Sequence, residues 1–238
     1  MKKLFLLFSL SILFKLSIAQ TSYVWNGTTS TAYTTTTNWT PNGLPGSGDN
    51  ITIVTGANNC ILSGNVTVTN LTITSGLLNL NGFTLNTTGV VACNSGTCTN
   101  GTFNSTATSL TFAGTTFGAN ITANVTEVYF NGSTFNGSVT VTKNGGTNAQ
   151  SNGNNVFNGV TSITNSGTGY LLLTNGAVGR NETFNSTATF NTTNTGGLYI
   201  GYQRNVTFNS NVIVNNPTGS GVIYLGYNGA VNLSWGST

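Results

Sequence analysis

Leu198-Tyr-Ile-Gly-Tyr-Gln-Arg-Asn-Val-Thr-Phe-Asn-Ser210 decides the fold, because both of its halves recur. Its second half, Asn205-Val-Thr-Phe-Asn-Ser210, repeats Asn181-Glu-Thr-Phe-Asn-Ser186 at a step of 24 residues. Its first half matches Ile223-Tyr-Leu-Gly-Tyr227 at a step of 25, and Gly169-Tyr-Leu-Leu-Leu173 is a weaker copy. Further out, a Phe followed by Asn or Gly and then by Gly, Ser or Ala recurs at Phe103, Phe117, Phe135, Phe157, Phe184 and Phe208. The phrase TFNSTAT occurs letter for letter at Thr102–Thr108 and Thr183–Thr189.

Short period-2 runs lie between these anchors: Ile51-Thr-Ile53, Val66-Thr-Val68, Leu71-Thr-Ile73, Leu78-Asn-Leu80, Val139-Thr-Val141 and Val212-Ile-Val214. Alternation of this kind is the signature of a strand with one buried side. Thr, Asn, Gly and Ser make up more than half of the chain. All four are poor helix formers, because their side chains or backbone freedom favour other conformations. The fold class is therefore all-β, with strands about 3–6 residues long. A repeat of 20–27 residues carrying several such strands predicts one coil of a parallel β-solenoid, in which each side chain stacks on its counterpart one coil away. A β-sandwich is the rival, but it needs no internal repetition. Residues 49–238 are assigned to the solenoid repeats; at about 22 residues per coil they give roughly eight coils, some 40 Å long. Phe103, Phe135, Phe157, Phe184 and Phe208 are expected to form one inward-facing ladder. Gly and Asn suit corners that need positive φ, and stacked Asn side chains can form amide ladders.

Residues 1–19 read as a signal peptide: Lys2-Lys3, an apolar run from Leu4 to Leu16, and a small-residue exit at Ser17-Ile18-Ala19. The expected location is extracellular or on the outer cell surface, and no later stretch is long enough for a transmembrane helix. Without the leader, the charge inventory is Lys143, Arg180 and Arg204 against Asp49, Glu127 and Glu182. No basic cluster exists to bind nucleic acid. With no His and three scattered acids, neither general acid–base catalysis nor a metal or cofactor site is expected. The chain reads as a non-enzyme.

Residues 20–48 hold Trp25, Trp39, Pro41 and Pro45, and are assigned as an aromatic cap over the first coil, whose backbone edge is otherwise unpaired. Asp49 follows consecutive tight turns and is expected to accept their amides. The series Tyr23-Val-Trp25-Asn-Gly27, Asn38-Trp39-Thr-Pro41-Asn-Gly43, Pro45-Gly46 and Asp49-Asn50-Ile-Thr-Ile53, followed by Asn70-Leu-Thr-Ile-Thr-Ser-Gly-Leu-Leu78, resembles the opening of large secreted β-helical surface proteins of Bacteroidota-type bacteria. The resemblance implies a right-handed parallel β-helix, export, and a C-terminal sorting module. The sequence ends at Trp235-Gly-Ser-Thr238 without such a module. The expectation is that the natural chain continues, and that the uncapped coil near Val231, Leu233 and Trp235 self-associates.

Two sets of residues are candidates for function. Tyr199, Tyr202, Tyr224 and Tyr227 repeat in register, and alternation turns Tyr199 and Tyr224 outward. They form either a platform for a sugar ring or an aromatic stack that ties coils together. Cys93 and Cys98 could close a disulfide across a turn, or sit with Cys60 as buried thiols. Thr-x-Thr pairs at Thr67/Thr69, Thr72/Thr74, Thr106/Thr108, Thr140/Thr142 and Thr187/Thr189 raise ice binding, which would need one flat, evenly spaced face. The leading reading is an exported stalk or adhesive surface that meets cell-surface glycans or matrix, with a carbohydrate- or ice-binding module as the alternative.

Overall fold

The computed structural model describes residues 20–175, 179–217 and 220–233. The segment read as a signal peptide, residues 1–19, and Trp235 lie outside the described residues. The described chain is a parallel β-solenoid of about eight turns, each turn contributing one short strand to each of three faces. The first face stacks Asn50–Ile53, Asn70–Ile73, Val90–Cys93, Ser109–Ala113 and Glu127–Asn131. The second runs without interruption through nine strands, from Cys60–Ile61 to Val231–Leu233. The third holds eight, from Val66–Val68 to Val212–Asn215.

Parallel register explains the inward positions. On the second face Cys60, Leu78, Cys98, Phe117, Phe135, Phe157, Phe184, Phe208 and Leu233 are successive register partners. The rings from Phe135 to Phe208 stack at 4.6–5.1 Å, close to the strand spacing of about 4.8 Å. Phe103 corrects the sequence expectation. It is fully buried, but lies on the third face, between Leu85 and Ile121; Phe117 holds the place assigned to it. The two identical TFNSTAT phrases consequently sit on different faces, Thr102–Ser105 on the third and Glu182–Phe184 on the second.

The corners use the residues that tolerate them. Asn81, Asn100, Asn154 and Asn228 all have positive φ, a region that Asn enters more readily than other side-chain-bearing residues. Just past the Phe ladder, Asn158 donates to Asn136, Asn185 to Asn158 and Asn209 to Asn185, each at 2.7 Å. The Phe-Asn unit is thus two ladders side by side, an apolar one inside and an amide one at the corner. Coils vary in length because the corners absorb the difference, as the paired starts at Ser109, Glu127, Leu171 and Leu198 show.

Residues 22–49 extend the stack at its start. Ser22–Trp25 pairs in parallel with Asn50–Ile53, and Trp39–Thr40 pairs antiparallel with Ser22–Trp25. Trp25, Trp39 and Tyr33 are buried, with Trp39 edge-on to each of the other two at 5.0 Å between ring centroids, and belong to the same core as the coils. Asp49 accepts hydrogen bonds from the amides of Thr21 and Gly46, the turn role expected of it.

One irregularity interrupts the first face. After Glu127–Asn131 a separate four-stranded sheet takes over: Ala149–Gln150, Leu171–Leu172, Leu198–Ile200 and Ile223–Leu225. At this step the backbone keeps one bridge, between Asn131 and Gly153 with the Gly153 amide donating to Phe130 O at 3.2 Å, and side chains make the other links. Ser151 Oγ accepts from the Phe130 amide, Asn131 Oδ1 from the Asn152 amide, and Glu127 Oε1 from the Thr147 amide.

Candidate functional site

The replacement sheet carries the tyrosines. Leu198 and Ile200 are buried while Tyr199 and Tyr224 point outward, as alternation requires. Tyr199 stacks on Tyr224 at 4.9 Å and Tyr202 on Tyr227 at 5.2 Å, and the two columns meet nearly at right angles. Tyr170 adds an edge contact to Tyr199 at 6.1 Å. The outcome is a herringbone of four rings, each in contact with others of the set, rather than two separated platforms. Burial and the neighbouring phenols raise the pKa of Tyr199 above its ordinary value, so this hydroxyl stays a neutral hydrogen-bond donor and acceptor.

Beside the rings lies a shallow cleft of about 400 Å³ edged by Gln150, Tyr170, Asn175, Tyr199, Gln203 and Tyr227. Gln150 donates to the Tyr170 hydroxyl at 2.7 Å and accepts from Asn175 at 2.8 Å. Its lining has amides and phenols but no carboxylate and no cation. Such a surface offers hydrogen bonds and aromatic carbon to a neutral polar ligand and no countercharge to an ionic one.

The three acids are held in separate settings. Asp49 is committed to its turn. Glu127 faces Lys143, with Oε2 at 3.3 Å from Nζ, and Lys143 is fully buried. Glu182 is fully buried; its Oε1 accepts from Asn155 at 3.0 Å and from Thr174 at 3.1 Å, and Oε2 has no partner. Burial, opposed by those hydrogen bonds, pushes the Glu182 carboxyl up to about 8. In the sequence Glu127, Glu182 and Lys143 read only as scarce charges. Register offers the missing signal: Glu182 occupies the slot that Val206 fills one coil later, and Lys143 the slot of Val125 one coil earlier.

The cysteines resolve to buried thiols, correcting the candidate Cys93–Cys98 bridge. All three are free and buried. Cys93 ends a first-face strand and stacks between Ile73 and Phe112; Cys98 lies on the second face between Leu78 and Phe117. Both serve as small apolar members of packed ladders. Burial raises the Cys98 thiol to about 12, so it has little thiolate character at neutral pH.

At the far end of the stack, Val214 and Leu233 are 47% and 49% exposed although their register partners Phe190 and Phe208 are buried. Among the described residues no group of His, Cys, Asp or Glu is placed to hold a metal ion, and no helix is long and apolar enough to cross a membrane. No family model matches the chain, and no curated protein or solved structure matches it significantly either.

Proposed function

We propose that the chain is an exported, non-enzymatic β-solenoid serving as a structural stalk or adhesive surface on the outside of a cell. The observation that carries this reading is how the acids are used: Asp49 satisfies turn amides, Glu127 is paired to Lys143, and Glu182 is enclosed. None of the three edges the tyrosine cleft. Much of the rest of the surface is Asn and Thr on an in-register frame, which suits repeated contact with a large partner more than turnover of a small one. Two measurements on the purified chain without its leader bear on this. Coated beads are expected to be retained on glycan- or matrix-coated surfaces. A panel of polysaccharides is expected to survive incubation intact, and cleavage lost on changing Asp49, Glu127 or Glu182 would overturn the reading.

A second reading, binding of neutral carbohydrate, is favoured by the tyrosine herringbone and its uncharged cleft. A glycan array is expected to return neutral oligosaccharides. Tyr224→Ala and Tyr227→Ala, both at 38% exposed positions, should weaken that binding about tenfold or more, the loss of roughly 1.4 kcal/mol of ring contact. An array without hits, or hits unaffected by both changes, removes this reading. Ice binding is not favoured, because the threonine pairs do not share a face: Thr72 lies on the first and Thr140 and Thr142 on the third.

A further inference from the structure

Lys143 and Asn165 are register partners on adjacent coils of the third face, and both are fully buried. They continue a column that starts at Val125 and ends at Thr192. Lys143 Nζ donates to the carbonyl oxygens of Gly145 at 2.7 Å and Gly169 at 3.4 Å. Asn165 Nδ2 donates to Gly169 O and Gly197 O, each at 2.9 Å. The amine and the carboxamide nitrogen therefore converge on one oxygen, that of Gly169. Asn165 Oδ1 accepts from the Gly167 amide at 3.2 Å, so its carbonyl is already polarised by a fixed donor. Glu127 completes the group. Its Oε1 is held by the Thr147 amide, and its Oε2, which accepts no directed hydrogen bond, faces Nζ.

The enclosure is built of glycine backbone. A Cβ at Gly145 would lie 2.5 Å from Glu127 Oε1, one at Gly196 would lie 2.7 Å from Asn165 Nδ2, and one at Gly167 would lie 2.0 Å from Gly145 O. Backbone thus closes directly over the three side chains. The Glu127 carboxylate, 3.3 Å from Nζ, is the group placed to take a proton from it. A neutral, desolvated lysine is a nucleophile.

We propose that Lys143 and Asn165 become joined by an isopeptide bond, with Glu127 carrying the protons. Glu127 takes one proton from the Nζ ammonium. The Nζ lone pair attacks Asn165 Cγ while the Gly167 N–H holds the developing charge on Oδ1. The Nζ–Cγ bond forms and the Cγ–Nδ2 bond breaks. Glu127 gives its proton to Nδ2 and takes the second one that Nζ sheds in becoming an amide nitrogen. Ammonia departs and leaves as ammonium with that last proton, restoring the Glu127 carboxylate. No oxidant or cofactor is consumed. The product is a covalent clamp between two coils, close to where the first face changes sheets.

Mass spectrometry of the whole leaderless chain tests this. The expected product is lighter by one ammonia, about 17 Da. Cyclisation of an N-terminal Gln20 would lose the same mass, so the site must be located. An acylated Lys143 resists trypsin; the expected digest of the denatured protein keeps residues 20–180 together, and chymotryptic fragments of it include a branched peptide joining Lys143 to Asn165. Glu127→Gln is expected to restore cleavage after Lys143 in a chain with unchanged circular dichroism. Asn165→Asp is expected to form the bond with loss of water instead, about 18 Da, a change no structural role would produce. Complete cleavage after Lys143 in the unaltered protein overturns the proposal. A branched peptide that persists in Glu127→Gln overturns the role of Glu127.

Discussion

Replacing Phe157 with alanine is expected to lower the unfolding free energy by about 3–5 kcal/mol. The ring is fully buried, stacked at 4.8 Å on Phe135 and 4.6 Å on Phe184, with Phe130 edge-on at 5.8 Å. Two effects place the cost at the upper end for a core truncation. The apolar surface removed is large, and the void left behind cannot close. In most cores neighbours relax into such a space. Here the backbone ladders fix the coils at one strand spacing, so Phe135 and Phe184 cannot approach each other. Denaturant titration of the two proteins measures the difference. A loss below about 1 kcal/mol would mean that the ring does not fill a stacked interior slot.

The second large effect is a stability that falls as pH rises, traced to Glu182. Burial raises its folded pKa to about 8 from the ordinary 4.5. The folded chain therefore holds this proton more tightly than the unfolded chain does. Its contribution is fully present below about pH 4.5, is lost progressively as pH rises to about 8, and is flat above that. The total change is on the order of 5 kcal/mol. Glu182→Gln preserves an acceptor for Asn155 and Thr174 and has no proton to lose. The variant should show no such slope and should be the more stable protein at pH 9, by thermal melts across the range. Equal slopes in both proteins would show that Glu182 is solvated when folded.

The sequence shows the fold plainly and the coil address of individual residues poorly. Solenoid, strand period, amide ladders and most of the Phe ladder follow from the 24-residue echo between Asn181–Ser186 and Asn205–Ser210, because those two phrases really are stacked. Phe103 was misassigned for a physical reason. Every face asks for the same local pattern, apolar in and Thr or Asn out, so seven identical letters at Thr102 and Thr183 do not say which face they build. Only the count of residues to the nearest corner does, and the corners vary in length. The cysteines illustrate the same limit. Cys93 and Cys98 lie five positions apart in sequence, yet a corner at Gly96, with φ +79°, puts them on different faces. The tyrosines were read correctly as outward, but their herringbone depends on ring tilts that no alternation encodes. The enclosed set of Lys143, Asn165 and Glu127, and the separate one of Glu182 with Asn155 and Thr174, are not legible in the sequence, since their members are far apart along the chain and meet only through stacking.

The step in the first face, where side chains take over from most backbone partners, has an evolutionary consequence. Within the continuous ladders, the strand-to-strand hydrogen bonds are made by main-chain groups that every residue but proline possesses, so that part of each joint is nearly indifferent to substitution. Where Glu127–Asn131 meets the next coil, the joint keeps a backbone bridge at Gly153 and otherwise depends on the side chains of Ser151, Asn131 and Glu127. A single nucleotide change can loosen it. The second and third faces run through this step unbroken, so heritable variation here would tune how firmly one side of the rod is laced without parting its two halves.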